Sequence, residues 1–262
     1  MLFLLSPAKA LDFDAPAKIA MHSLPLFRRE AQMLTGILRE KTPAELASLM
    51  KISDQLAVLN AARYQAWSPE FTAENSKQAL LAFDGTVYDG LNAQSLNEKE
   101  LLWAQDHLII LSGLYGVLKP LDRLQPYRLE MGTKLGNPKG KDLYAFWKAL
   151  ITPELNKRLR QDKTPVVVNL ASKEYFKSVD LSLLKARVVE CVFEDYFHKT
   201  GEYRIITFYA KRARGLMTRF AIQNRIDTPQ GLQGFDLAGY AYCEAASELD
   251  RLVFRRRLAV SN

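Results

Sequence analysis

A pair of glycines frames a short apolar tip near the middle of the chain, in the tetrapeptide Gly113-Leu114-Tyr115-Gly116. Glycine permits positive φ and lets a backbone approach a ligand with no Cβ in the way. A helix that began just after Gly116 would present unpaired N–H groups and a positive dipole end to an anion. The pattern therefore predicts the helix-hairpin-helix grip on a nucleic-acid backbone. An ordinary turn that places Tyr115 in the core is the alternative.

Residues 210–225, AKRARGLMTRFAIQNR, show the clearest helical pattern. At about 100° per residue, an apolar side opposes a cationic side. The cationic side comprises Lys211, Arg212, Arg214, Arg219 and Arg225. No acidic residue occurs from position 203 to position 226, so these cations have no partner on the helix. Such a face suits phosphates, whose neutralisation releases counterions. A surface helix that pairs with distant carboxylates is the alternative.

Further cations lie in two loops that follow apolar strands. Ser172 precedes a short helix in which Lys173 and Lys177 are one turn apart. These residues bind an anion, or Ser172 is only an N-cap and the lysines are solvated. Lys9 stands in the proline-stiffened loop SPAK, where it is either a phosphate ligand or, if desolvated, an amine nucleophile. Asp122 is then the candidate partner of the nucleophile.

Signals for other chemistry are weak. The three histidines, His22, His107 and His198, occupy different segments, and the two cysteines are far apart in sequence. No Walker, GxSxG or dinucleotide GxGxxG motif occurs. We therefore predict no metal site and no cofactor, and no catalytic motif is visible.

The elements that position these residues alternate between strands and helices. Strands are predicted at residues 2–5, 79–83, 108–111 and 166–170, and an antiparallel pair at 188–193 and 203–209. Residues 87–91 fit a strand or a loop. Helices are predicted over residues 24–41 and 101–107, from Thr42-Pro43, and from Ser53 toward Trp67. Residues 142–160 are predicted to form one helix, or two helices broken near Thr152-Pro153. No repeat or linker interrupts the order, so residues 1–262 are predicted to form a single mixed α/β (α+β) domain.

The charge is concentrated in one part of the chain. Of 262 residues, 48% are hydrophobic, which predicts a substantial core, and the net charge is +7. Residues 111–225 hold 22 Lys and Arg against 11 Asp and Glu, a balance of +11, and the remainder holds 14 against 18, a balance of −4. Concentrated basic charge favours a polyanionic partner. A basic surface that only maintains solubility is the alternative.

The cysteine content and the apolar runs indicate the compartment. Cys191 and Cys243 do not form a disulfide pattern, which favours a reducing environment. The segment MLFLLSPAKA has too short an apolar run for a signal peptide, and no segment has the roughly 18 apolar residues of a membrane span. We therefore expect a cytoplasmic protein with no membrane partner. The oligomeric state is left open.

Six segments, in order along nearly the whole chain, resemble the YaaA peroxide-stress-resistance family. They are SPAK at 6–9, ISDQLAVLNAAR at 52–63, LSGLYGVLKPLDRLQPYRLEMG at 111–132, GKDLYAFW at 140–147, VNLASKEYFKSV at 168–179 and FYAKRARGLMTRF at 208–220. The resemblance implies a cytosolic protein that protects DNA and proteins during hydrogen peroxide stress and is associated with lowering unincorporated iron. It also implies a family-specific α/β fold with a basic cleft, a helix-hairpin-helix element and binding to double-stranded DNA.

Two hypotheses of different classes follow. In the first, the protein binds DNA backbone phosphates without reading sequence. The candidate contacts are Lys9, Gly113, Leu114, Tyr115, Gly116, Lys119, Arg128, Lys173, Lys177, Lys211, Arg212, Arg214 and Arg219. In the second, it is an enzyme that acts on a nucleic-acid base or nucleotide, with Lys9 as nucleophile and Asp122 as its partner.

Overall fold

A mainly parallel sheet lies at the centre of the computed structural model, which describes residues 1–16 and 19–257. The strands are β1 (Leu2–Leu5), β2 (Ala10–Leu11), β3 (Lys77–Gln78), β4 (Phe83–Asp84), β5 (Leu108–Ser112), β6 (Gly116–Leu118), β7 (Arg123–Leu124), β8 (Val166–Asn169), β9 (Arg187–Phe197), β10 (Glu202–Arg204), β11 (Ala241–Tyr242) and β12 (Arg251–Arg256). The main sheet has the order β11-β12-β9-β8-β1-β5-β6, with β10 also paired to β9. Two smaller sheets pair β2 with β4 and β3 with β7.

The sheet centre is parallel and buried. β1 runs parallel to both β5 and β8, while β9 runs parallel to β8 and β12. Every residue of β1, β5 and β8 is buried, which explains their continuous apolar runs. Because their carboxyl ends share one edge of the sheet, the loops that follow β1 and β8 lie side by side.

Helices surround the sheet. They are α1 (Arg28–Arg39), α2 (Pro43–Met50), α3 (Asp54–Ala66), α4 (Ala79–Ala82), α5 (Thr86–Leu91), α6 (Glu98–His107), α7 (Leu143–Arg158), α8 (Lys173–Phe176), α9 (Thr207–Asn224) and α10 (Pro229–Leu232). The caps read from sequence are present. Thr42 forms a capping box with Glu45, and the Ser53 side chain accepts from the Leu56 N–H. The described residues form one mixed α/β domain, and positions 258–262 of the predicted domain lie outside them.

Two short segments differ from prediction. Residues 79–83 were expected to be a strand, but α4 takes most of them, and all four of its residues are buried. Residues 87–91, expected to be a strand or loop, belong to α5. A short apolar run that is buried on every side has no periodicity that separates helix from strand.

The predicted pairing of residues 188–193 with 203–209 is correct only in part. β9 pairs antiparallel with β10, but β10 ends at Arg204. α9 begins at Thr207 because its buried positions, including Ala210, Ala213 and Met217, pack as a helical face. The predicted basic helix at 210–225 therefore exists and starts slightly earlier.

Glycines allow α5 and α9 to pack with their backbones in contact. A Cβ on Gly215 would lie 1.8 Å from the carbonyl oxygen of Val87. A Cβ on Gly90 would lie 2.2 Å from the carbonyl oxygen of Arg212. Gly90 and Gly215 therefore lie where the two helix backbones approach each other closely. This contact fixes the position of the cations on α9 relative to α5.

The glycine tip at residues 113–116 forms a β-hairpin. β5 and β6 are antiparallel, with Ser112 opposite Gly116. Strand β6, not a helix, begins at Gly116, which has a φ of 68°. The prediction of a helix-hairpin-helix element at this place is therefore wrong. The apolar segments on both sides of the tip are buried strands, whose composition also fits helices.

The hairpin tip faces the protein interior. Leu114 and Tyr115 are fully buried, and the Tyr115 hydroxyl accepts a hydrogen bond from the Trp67 indole N–H at 3.1 Å. A Cβ on Gly113 would lie 2.2 Å from the carbonyl oxygen of Leu129. The tip thus packs against neighbouring backbone, and its residues are not accessible to DNA. The alternative interpretation, in which Tyr115 is a core residue, is confirmed.

Candidate functional site

A cleft of about 500 Å³ opens at the carboxyl ends of β1 and β8. Its wall comprises residues 6–10, 84–88 and 127–130, Leu170, Ser172, Glu174 and Tyr175, and Lys211 and Arg214 of α9. This is where open α/β sheets usually bind ligands. The volume is in the range of small-molecule sites. Apolar side chains, among them Val87, Leu129 and Leu170, alternate with the polar groups of the wall.

Two serines join the loops that follow β1 and β8. The Ser172 N–H donates to Ser6 Oγ at 2.8 Å, and Ser6 Oγ–H donates to Ser172 Oγ at 3.3 Å. The Tyr88 hydroxyl donates to the Ser6 carbonyl oxygen at 3.1 Å. Ser172 also caps α8 by accepting from the Tyr175 N–H. These bonds hold the cleft floor in one arrangement.

The inner wall carries three buried phenols, Tyr88, Tyr127 and Tyr175. Burial raises the pKa of Tyr88 and of Tyr175 well above the usual value, and in each case the nearby Tyr127 adds to the increase. Burial also raises the pKa of Tyr127, whose hydroxyl shares a 2.7 Å hydrogen bond with Ser112. The three phenols are therefore neutral at physiological pH.

One side of the cleft carries cations that are already paired. Lys9 Nζ lies 3.1 Å from Glu130 Oε2, and Arg128 Nη2 lies 3.2 Å from Glu130 Oε1. Lys9 is well exposed, with 65% of its side chain accessible, whereas Arg128 is mostly buried. Glu130 thus holds both cations at the cleft wall and neutralises part of their charge.

The α9 side of the cleft carries unpaired cations. No described residue provides a hydrogen bond or an ion pair to the guanidinium of Arg214 or the ammonium of Lys211. Burial lowers the pKa of Arg214, and the carboxylate of Glu190 acts on it only at longer range. A partly desolvated guanidinium without a direct ion pair is suited to an anionic ligand.

The chain is similar to known proteins over nearly its whole length. The family described as "Peroxide stress protein YaaA" matches residues 1–246. The chain belongs to this family. Relatives over essentially the full length are UPF0246 proteins. The Paracidovorax citrulli protein is 64% identical over 258 residues, which is 98% of this chain and 99% of that protein. The Albidiferax ferrireducens protein is 62% identical over 261 residues, all of both chains.

The sequence-predicted cations fall into two groups in this YaaA family member. Lys9, Arg128, Lys211 and Arg214 all line the cleft. Lys173, Lys177 and Arg212 do not line it, but they are exposed: Lys173 is on α8, Lys177 directly follows α8, and Arg212 is on α9. Lys177 Nζ lies 4.8 Å from the centroid of the Tyr144 ring.

Two other predicted contacts have different surroundings. Arg219 does not project into solvent, because its Nη1 donates to the carbonyl oxygens of Leu91 and Asn92 and to Ser95 Oγ. It thereby caps the carboxyl end of α5. Lys119 lies in the turn after β6, outside the cleft, where its N–H donates to Asp122 Oδ2.

The predicted pairing of Lys9 with Asp122 is wrong. Asp122 does not line the cleft; it is buried and accepts from Ser23 Oγ at 2.6 Å as well as from the Lys119 N–H. Burial raises the pKa of this carboxyl, an effect that its hydrogen bonds partly offset. Lys9 instead forms an ion pair with Glu130, a pairing that the sequence did not predict.

The sequence analysis also missed the tyrosines and Glu174. Tyr88 lies in a segment predicted as strand or loop, so its position beside the first loop was not visible. Glu174 and Tyr175 directly follow Ser172 and Lys173. Their position just after a predicted strand was the signal that could have identified them as site residues. Glu174 Oε1 accepts from the Gly132 N–H at 2.9 Å.

Residues 1–16 and 19–257 contain no group of three or more His, Cys, Asp or Glu side chains arranged to hold a metal ion. Within the same residues, no helix has the length and apolar character needed to cross a membrane.

Proposed function

We propose that this protein acts in the cytoplasm during hydrogen peroxide stress by binding double-stranded DNA through backbone phosphates, without reading sequence. The description of the family supports the stress response. In this proposal DNA binding protects DNA from oxidative damage, as part of a response that also protects proteins and lowers unincorporated iron.

A single observation carries the DNA-binding proposal. Lys211 and Arg214 line the cleft without an ion-pair partner among the described residues, and Lys173, Lys177 and Arg212, on or next to two helices of its wall, also have none. Unpaired cations that share one surface favour a polyanion. The contacts proposed for duplex DNA are these five residues with Lys9 and Arg128. Phosphate contacts alone predict little sequence preference.

Fluorescence anisotropy with a labelled duplex tests the proposal. We expect Lys211→Glu combined with Arg212→Glu to weaken binding at least tenfold and to flatten its salt dependence, because each lost phosphate contact lowers the slope by about 0.9. Lys99→Glu is the control, since Lys99 is exposed on α6 and does not line the cleft. Equal affinities of the double variant and the control would refute the proposal.

The helix pair α2 and α3 is a second proposed contact. These helices pack against each other across a turn of three residues, 51–53. Lys51 is exposed in this turn, with a φ of 53°. We propose it as the helix-hairpin-helix element that the family resemblance implies. Lys51→Glu is expected to weaken duplex binding severalfold, and Lys41→Glu, outside the turn, is its control.

An enzyme acting on a nucleic-acid base is the second candidate function. The observation that favours it is the ion pair of Lys9 with Glu130 inside the cleft. Borohydride is expected to trap a covalent complex with abasic DNA if the Lys9 amine attacks the sugar aldehyde. Trapping that persists in Lys9→Ala, or that is absent with abasic and oxidised duplexes alike, would eliminate this candidate.

A further inference from the structure

The cleft differs from a surface that only contacts a duplex, because it combines an anion-binding edge with a semi-apolar interior. Its volume of about 500 Å³ admits a small molecule but not a double helix. A duplex can rest on the exposed cations at the mouth, whereas the interior needs a ligand with a flat, partly apolar group.

The cations of the cleft differ in their partners. On the α9 side, Arg214 and Lys211 form no direct ion pair with a described residue, and the Glu190 carboxylate acts on Arg214 only at longer range. On the side formed by Lys9 and Arg128, both oxygens of Glu130 are occupied by these two cations. A ligand anion therefore fits beside α9, where a positive charge is available.

Besides Glu130, two carboxylates line the cleft, those of Asp84 and Glu174, and Glu174 directly follows the Ser172–Lys173 segment. Glu174 Oε1 accepts from the Gly132 N–H, while no described donor lies within hydrogen-bond distance of Oε2. A carboxylate oxygen that lines a cleft pairs best with N–H groups of a ligand. Guanine presents two such donors, N1–H and the 2-amino group, on one edge.

Apolar side chains and phenols form much of the remaining cleft wall. Val87, Leu129 and Leu170 line the cleft together with the neutral phenol groups of Tyr88 and Tyr175. Inorganic phosphate alone would leave these surfaces without contacts. A heterocyclic base covers them, as bases cover aromatic and apolar side chains in other nucleic-acid sites.

We propose that the cleft binds one nucleotide, with its phosphate on Arg214 and Lys211 and an amino-bearing base, guanine in the first instance, against the tyrosines with its donor edge on Glu174. The inference deepens the proposed function and rests on it for one of two nucleotide sources: an extrahelical nucleotide of bound DNA or a free mononucleotide. The recognising chemistry is the same for both.

Isothermal titration of the full chain with GMP, TMP and inorganic phosphate tests the proposal. We expect saturable binding of GMP, at least tenfold weaker binding of TMP, which lacks an exocyclic amino group, and still weaker binding of phosphate. Arg214→Gln is expected to weaken GMP binding at least tenfold. The matched variant is Arg212→Gln, on the same helix but outside the cleft, for which GMP binding stays within twofold.

The same pair of variants separates this inference from DNA binding. Arg212→Gln is expected to weaken duplex binding and leave GMP binding intact. If Arg212→Gln loses duplex binding and the protein shows no saturable GMP binding, the nucleotide site alone is overturned. If the protein binds GMP but does not bind the duplex, the proposed function alone is overturned. If Arg214→Gln fails to fold, Glu174→Gln replaces it, with an expected loss of the preference for GMP over TMP. An unchanged preference overturns the inference.

A duplex that contains 2-aminopurine distinguishes the nucleotide sources. A rise in 2-aminopurine fluorescence on protein binding, suppressed by GMP, assigns the cleft to an extrahelical nucleotide. GMP binding with no change in this fluorescence assigns it to a free mononucleotide. If millimolar GMP gives no saturable binding and the duplex shows no rise in fluorescence, the inference is overturned.

Discussion

Two sides of one cleft carry cations in different electrostatic states. On the side formed by Lys9 and Arg128, Glu130 accepts both cations at 3.1 and 3.2 Å. On the α9 side, Lys211 and Arg214 have no such partner in the described parts of the chain. The difference shows that the number of cations at a cleft does not define its anion-binding side. The positions of the carboxylates define it.

The α9 side also depends on backbone packing that the Glu130 side does not share. Gly90 and Gly215 let α5 and α9 touch, and Arg219 bonds to the carboxyl end of α5. The unpaired cations are thus attached to a closely packed helix pair. The paired cations lie instead on loop segments at residues 6–9 and 125–130.

The largest effect is expected from Gly215→Ala, which disrupts the backbone contact between α5 and α9 that positions the cations of α9. The new Cβ would lie 1.8 Å from a backbone oxygen, which cannot move as a flexible side chain would. We expect the free energy of unfolding to fall by about 3 kcal/mol or more, measured by urea denaturation. Gly36→Ala is the control, because its Cβ meets nothing within 4 Å. It should stabilise α1 by about 0.5–1 kcal/mol. Similar unfolding midpoints for the two variants would contradict the backbone contact.

An intermediate effect is expected from Glu130→Gln, which makes the two sides of the cleft alike. Removing the carboxylate frees Lys9 and Arg128, so duplex affinity should rise about threefold to tenfold at low salt. The gain should shrink near 1 M salt, where the Debye length is about 3 Å. Anisotropy titrations at several salt concentrations measure this, with exposed Glu40→Gln as the control. Unchanged affinity would mean that Glu130 does not restrain the cations.

The smallest effect concerns alkaline pH and tests the neutral phenols. Burial raises the pKa of Tyr115 to about 12, and the pKa of Tyr88 and Tyr175 is also raised by burial. The unfolded chain releases these protons near pH 10, while the folded chain still holds them. Stability should therefore decline as pH rises from about 9 to 12, and the earliest part of the decline comes from the buried Cys191 thiol, whose pKa burial raises to about 12. Urea denaturation across this range checks the sign; greater stability at pH 11 would contradict the burial of the phenols.

Much of the fold could be predicted from local patterns. The apolar runs of β1, β5 and β8, the caps at Thr42 and Ser53, and the basic helix α9 all follow from periodicity and cap chemistry. The segments at α4 and α5 could not, because short buried runs fit helix and strand equally. The prediction of a helix-hairpin-helix element at residues 113–116 was wrong for a related reason. Turns that bind a ligand and turns that pack in a core use the same glycines.

For the candidate site, the sequence by itself determined which groups are charged, that residues 203–226 contain no acid, and that two loops follow buried strands. Only the tertiary structure decided which charges remain available. It placed Glu130 beside Lys9 and Arg128, Arg219 on the end of α5, and Arg214 in the cleft without a direct ion pair. Ion pairing and desolvation act over a few ångströms between residues that are far apart in sequence, and the packing of the chain sets those distances.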